Sequence, residues 1–114
     1  MDAVEIVLLY DYYGDLLTDR QKECFEMRYY QDLSLGEIGE EMGISRQGVH
    51  DNLSRTEALL RNMEAKTGCV GRDLKCRRAA TQIAALSGSL TGHSDPIVSE
   101  TACKILTIVS SLEE

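Results

Sequence analysis

Residues 34–53 leave this chain few ways to fold. Ser34-Leu35-Gly36-Glu37 is a capping box: the serine hydroxyl satisfies an orphan amide at a helix start, and the glutamate reciprocates. Ile38 and Met42 then share one face of a short helix. Gly39 stands where a close helix approach forbids a larger side chain, and Gly43 supplies the left-handed residue that ends the helix. Ile44 follows as a core plug, and Ser45 caps the next helix. A short helix, a turn of about three or four residues and a second helix crossing the first make a helix-turn-helix. Ile38, Met42, Ile44, Val49 and Leu53 would hold the pair together. The alternative is an αα-hairpin that merely packs.

The flanking sequence extends the helical pattern. Thr18-Asp19-Arg20-Gln21 is a further capping box, opening a helix from Asp19 to about Tyr30 that turns Cys24, Phe25 and Tyr29 inward. Leu16 and Leu17 precede it as a staple. Ahead of them, Asp2 to about Tyr13 carries Val4, Val7, Leu8 and Tyr12 at helical spacing, and Gly14 closes that helix. After Ser45 a long helix runs from Arg46 to about Lys66, ended by Gly68. Its seam of Val49, Leu53, Thr56, Leu60 and Met63 recurs at steps of four and three residues.

From Gly68 the composition changes. Gly68 and Gly71 flank Cys69-Val70 as a hinge, followed by a basic, alanine-rich helix over Arg72–Ser87 using Ala79, Ala80, Ile83, Ala84 and Leu86. Loop-like residues lead to Asp95-Pro96, a helix start with Asp as cap and Pro in the first turn. The last helix carries Val98, Ala102, Ile105, Leu106, Val109 and Leu112. No segment alternates as a strand does. The expectation is an all-α chain: a winged-helix-like helix-turn-helix domain over residues 1–67, and a helical tail over 68–114. The tail either dimerises or packs back on the bundle, because its apolar faces need cover and a two-fold homodimer would supply it.

Charge and composition narrow the function. Nineteen acidic residues against twelve basic give a formal charge of −7, the wrong sign for coating nucleic acid by bulk attraction. No apolar run approaches the roughly 20 residues of a membrane span, so no membrane partner is expected. Met1-Asp2-Ala3-Val4-Glu5 lacks the features of a secretory signal, which points to a cytoplasmic protein with reduced cysteines. There is no C-x-x-C pair and the two histidines stand alone, so no metal site is expected. Nucleophile–base pairs and phosphate-cradling glycine loops are also missing. The expectation is a non-enzyme without a cofactor.

Leu16-Leu17-Thr18-Asp19-Arg20-Gln21 through Tyr29-Tyr30, then Leu33–Gly39, Gly43-Ile44-Ser45 and Val49–Leu60, resemble the promoter-reading fourth domain of bacterial sigma factors. The closer resemblance is to the YlxM family of small helix-turn-helix proteins. It is carried by Leu8-Leu9-Tyr10-Asp11-Tyr12-Tyr13 and by Ser45-Arg46-Gln47-Gly48-Val49-His50-Asp51-Asn52. The resemblance covers about residues 4–66. It implies a sigma-like bundle, a regulatory role in the signal recognition particle pathway, and no enzymatic residues.

With the Val49–Leu53–Thr56–Leu60 seam buried, a rotation of 100° per residue turns Gln47, His50, Asp51, Ser54, Ala58 and Arg61 outward. Gln47 could pair with the major-groove edge of adenine, and Asp51 could accept from a cytosine amino group. Arg46 and Arg55 on the flanks suit phosphate contact, as do the exposed amides beside the Ser45 cap. The charge balance opposes strong binding: residues 1–33 hold eight acids to three bases, and residues 34–67 six to four. Arg72, Lys75, Arg77 and Arg78, with Asp73 among them, form a basic patch that either meets the phosphates of DNA or of the particle's RNA, or is a solvated helix face. The five tyrosines either stack bases or wedge between the first, second and fourth helices. Two roles follow: a duplex-DNA-reading regulator, or an accessory module that binds the particle's GTPase or its RNA–protein complex.

Overall fold

A computed structural model describes residues 3–112 of the chain. These residues form six α-helices: α1 (Ala3–Tyr13), α2 (Asp19–Tyr29), α3 (Leu35–Met42), α4 (Arg46–Thr67), α5 (Cys69–Gly88) and α6 (Pro96–Ser111). A short 3-10 turn, Gly14–Leu16, follows α1. The fold is all-α. Among the described residues there is no strand, so the helix-turn-helix carries no β-wing and the winged-helix-like expectation holds only for its helical part. The chain divides into two compact units, Met1–Val70 and Gly71–Glu114.

The caps form as the sequence pattern dictates. The Thr18 hydroxyl accepts from the Gln21 amide at 3.2 Å, and the Thr18 amide donates to Gln21 Oε1 at 3.0 Å. Ser34 and Glu37 repeat the arrangement at 3.1 and 3.0 Å. The Ser34 backbone N–H, and then its hydroxyl, hold the Glu37 carboxyl below the usual carboxylate range. Ser45 Oγ accepts from the Gly48 amide at 3.0 Å, and the Asp95 carboxylate from the Ile97 amide at 2.9 Å with Pro96 opening α6. The end of α2 departs from the glycine rule. Asp32, at φ 55°, takes the left-handed position, and the Leu33 amide reaches back to the Met27 carbonyl at 3.1 Å.

The core of the first unit gathers around α4. Cys24, Ile38, Met42, Val49 and Leu53 are buried together, with Met27, Leu33, Leu35 and Ile44 packed against them. Further along α4, Thr56 and Leu60 are also buried. Burial pushes the Cys24 thiol up, so this cysteine acts as a small hydrophobe. None of the four cysteines is in a disulfide.

Helix α1 presents a different face from the one its spacing implied. Ile6, Leu9 and Tyr13 are buried, whereas Val4 is 75% exposed. Apolar and aromatic residues ring α1 on all sides, so periodicity alone does not choose a face; tertiary contact does. Tyr10 stacks on Phe25 with ring centroids 4.2 Å apart, and Phe25 meets Tyr29 at 4.5 Å. The tyrosine hydroxyls then bolt the helices to one another through carboxylates. Tyr10 donates to Glu26 at 3.2 Å, Tyr13 to Glu64 at 2.6 Å, and Tyr29 to Glu57.

The junction after α4 also differs from expectation. Gly71 is not half of a hinge but lies inside α5, and the turn is made by Gly68 at φ 64°. The first amides of α5 have partners on α4: Cys69 N–H donates to Thr67 Oγ1 at 3.3 Å, and Val70 N–H to Glu64 Oε1 at 3.1 Å. With those donors satisfied, the helix starts at once.

In the second unit Ala80, Ser87, Ala102 and Val109 are buried. Ala79, Ile83, Leu86, Ile105 and Leu112, expected to face inward, are exposed. The fully buried positions are mostly small, Leu74, Val98 and Leu106 are half-buried, and the remaining large aliphatic side chains are exposed.

Two outcomes test these packing arguments. A Cβ at Gly39 would sit 2.7 Å from the Ile44 carbonyl oxygen, whereas at Gly36 the nearest atom is Ser34 Oγ at 3.9 Å. Urea denaturation should show Gly39→Ala losing about 1–3 kcal/mol, while Gly36→Ala is neutral or stabilising by up to about 1 kcal/mol. Burial, reinforced by Glu26 and Glu57, pushes the Tyr10 and Tyr29 hydroxyls up to about 12. A raised phenol pKa leaves stability intact below the unfolded value near 10, and stability is lost as pH climbs from about 10 to about 12. Denaturation at about pH 9 and about pH 11 should show that fall, and Tyr10→Phe plus Tyr29→Phe should flatten it.

Candidate nucleic-acid interface

The helix-turn-helix is set by backbone contact. Gly39 on α3 lies against the turn itself, with Ile44 O, Ser45 C and Arg46 N the atoms a side chain would meet. Gly43, at φ 70°, reverses the chain, and the Ile44 amide returns to the Gly39 carbonyl at 3.0 Å. Arg20, on α2, donates from Nη2 to the Met42 carbonyl at 3.1 Å and so satisfies an orphan acceptor at the end of α3. The entrance of α4 is thereby fixed from two sides.

Ser45, Arg46, Gln47, His50, Asp51, Ser54 and Arg55 are all exposed, as are Ala58 and Arg61. Three of them are linked. Gln47 Nε2 donates to Asp51 Oδ1 at 3.0 Å, and His50 Nδ1 lies 3.7 Å from the same oxygen, forming an ion pair when the imidazole is protonated. Gln47 and Asp51 are one helical turn apart, the spacing at which side chains meet. The bond uses one of the two Gln47 amide protons. The other proton and the carbonyl oxygen suffice for a bidentate contact with adenine. Asp51 therefore orients Gln47 as well as offering its own carboxylate.

At the start of α4, Ser45 Oγ is committed to the Gly48 amide, and the first turn contains no acidic residue. The partial positive charge of a helix N-terminus is unopposed within that turn. Arg46 flanks it. Against this stand Glu37, Glu40 and Glu41, all exposed on α3.

Two bases of the first unit are structural. Arg20 holds the α3 terminus, and Arg28 Nη1 donates to the Leu33 carbonyl at 3.1 Å. Lys22 pairs with Asp15 at 3.6 Å. The sequence shows Arg20 merely as a charge beside a cap. A side chain reaching a carbonyl 22 residues away leaves no local signal.

The basic patch belongs to the second unit. Arg72, Lys75, Arg77 and Arg78 are exposed on α5. At 100° per residue, Arg72, Lys75 and Arg78 spread over about a third of the helix circumference and Arg77 falls on another side. Three of the four thus share one side of α5, and Arg77 does not. Among the described residues no group of three or more His, Cys, Asp or Glu could hold a metal ion, and no helix is long and apolar enough to cross a membrane.

Comparison with known proteins agrees with the motif. A family model described as "Putative helix-turn-helix protein, YlxM / p13 like" matches residues 2–86, which include the whole helix-turn-helix. A UPF0122 protein of Thermoanaerobacter sp. (strain X514) is 56% identical over 71 residues, covering 62% of this chain and 61% of the relative. A UPF0122 protein of Acetivibrio thermocellus is 49% identical over 84 residues, covering 73% and 72%. One from Bacillus cereus (strain AH187) is 52% identical over 58 residues, covering 51% and 53%. The chain thus spans about three fifths of the length of the Thermoanaerobacter relative. On the extent of these matches, the chain belongs to the UPF0122 family of YlxM / p13-like helix-turn-helix proteins.

Proposed function

We propose that the first unit binds duplex DNA by laying α4 in the major groove, and that the protein acts as a regulator through this contact. The observation that carries the reading is the set of exposed residues Ser45, Arg46, Gln47, His50, Asp51, Ser54 and Arg55 at the start of a helix whose entrance is held by the Gly39–Ile44 backbone contact. Gln47, His50, Asp51 and Ser54 would meet base edges, while Arg46, Arg55 and the first amides of α4 would meet phosphates. The resemblance to the YlxM family supports reading this regulatory role as part of the signal recognition particle pathway.

Electrostatics makes the single-copy contact weak. Each neutralised phosphate adds about 0.9 to the slope of affinity against salt. With two arginines on the face and Arg20 and Arg28 committed elsewhere, few such contacts are available. Fluorescence anisotropy on labelled duplex DNA, from about 50 to about 200 mM salt, should therefore give a shallow slope. Arg46→Ala plus Arg55→Ala should lower that slope by about two. Asp51→Asn should strengthen nonspecific binding severalfold, because it removes a carboxylate from the reading face. Low-salt binding that ignores the double arginine substitution would defeat the DNA reading.

The exposed acids of α3 favour a second reading. Glu37, Glu40 and Glu41 beside the turn offer a surface for a basic protein partner. In that case the unit is an accessory module for the particle's GTPase or RNA–protein complex, binding without DNA. Mixing the purified chain with each component and measuring co-sedimentation would decide it, and failure to associate with either would remove this alternative.

A further inference from the structure

The second unit leaves its larger aliphatic side chains uncovered. Leu86 is 70% exposed and Ile97 74%. At 100° per residue, Ile83 and Leu86 fall on one side of α5, with Leu90 in the turn that follows, and Ile97, Ile105 and Ile108 fall on one side of α6. The two helices border a groove of about 490 Å³ lined by Ile83, Leu86, Leu90, Ile97 and Ile105, with Ser87 and Ala102 buried among them. No charged residue lines it. The groove is flanked by ridges of its own making, so one copy carries both the knobs and the hole.

The geometry points to a second copy of this chain as the occupant, with the α5–α6 faces meeting across a two-fold axis to form four helices. Three arguments favour a copy over another partner. The five aliphatic residues that line the groove, with Ile108 beside them on α6, leave open the equivalent of about three whole residues, a patch on the order of 500 Å². That lies toward the upper end of the roughly 300–600 Å² largest patch of a typical monomer, and is more than half of the ~800 Å² each partner gives to a stable interface. The uncharged lining offers nothing to a polar or ionic ligand. Only Ala80, Ser87, Ala102 and Val109 of the unit are fully buried, Leu74 and Leu106 are half-buried, and a domain needs a second packed layer to complete such a core. A two-fold arrangement supplies that layer from the same sequence. The inference concerns the second unit and stands whether or not the first binds DNA.

Light scattering at tens of micromolar should give twice the 12.7 kDa of one chain. Leu86→Glu plus Ile97→Glu should weaken the dimer about a hundredfold or more, since each copy would bury two carboxylates. Far-UV circular dichroism should show helicity retained. Isotope-filtered NOEs between labelled and unlabelled wild-type chains should connect Leu86 and Ile97 methyls to Ile105 or Leu90 of the other copy, a readout independent of how the variant folds. A monomeric wild type would overturn the proposal, as would a dimer that survives the double substitution or gives no such NOEs. A groove covered within one chain, or by an unrelated protein, would show itself as that monomer.

Discussion

The backbone of α3 touches the backbone of the turn that follows it, and the orientation of α4 depends on that contact. Only hydrogen at Gly39 leaves room for the Ile44 carbonyl, and Gly43 takes a left-handed conformation that costs an ordinary residue about 1 kcal/mol or more. The close crossing lets Ile38 and Met42 meet Val49 and Leu53 in one cluster, which fixes the roll of α4 about its axis. Roll decides which side chains face solvent. Gln47, His50, Asp51 and Ser54 lie outward because Val49 and Leu53 cannot. Arg20 adds a constraint of another kind, a charge-assisted bond to the last turn of α3 that ties the turn to α2.

The acidity of the first unit has a structural side. Glu26, Glu57 and Glu64 each accept from a tyrosine hydroxyl, and Glu64 also accepts from the first turn of α5. These carboxylates join helices that stacked aromatic rings have brought together, with Phe25 between Tyr10 and Tyr29. Two arginines are spent in the same way on backbone carbonyls. The net charge of −7 is therefore not a uniform repulsive field. Its local arrangement sets Arg46 and an acid-free helix start on one element and the α3 carboxylates on the next.

The local features were legible in the sequence because their physics is local. A capping box needs residues three apart, and the Thr18–Gln21, Ser34–Glu37 and Asp95-Pro96 signals all formed. The α4 seam was legible because polar residues separate its apolar ones. Where that contrast fails, spacing misleads. In α1 nearly every position could be core, and the contact with Phe25 and Glu64, made by residues distant in sequence, selected Ile6, Leu9 and Tyr13. In α5 and α6 the expectation that large aliphatics go inward gave way to small residues at the buried positions. Gly71 looked like a hinge because glycine often is one, yet caps from Thr67 and Glu64 start the helix before it. Of the candidate interface, the exposure of each residue followed from the seam. The Gln47–Asp51 bond was implicit in their spacing, and the role of Arg20 was not readable at all.

A weak reading face and an uncovered aliphatic stripe complement each other energetically. One copy with two flanking arginines gains little from counterion release, and carboxylates on α3 subtract from that gain. Joining two copies makes the second contact intramolecular, and linkage of this kind raises overall affinity by about 10²–10⁴ without any new contact to DNA. It also filters, because a site bearing one suitable half would engage only one weak face. On this view discrimination rests on pairing, and the oriented Gln47 amide with its Asp51 partner need only be selective within each half. On the same proposal the acidic balance would keep a lone copy off arbitrary DNA, and pairing through α5 and α6 would let two weak faces act together.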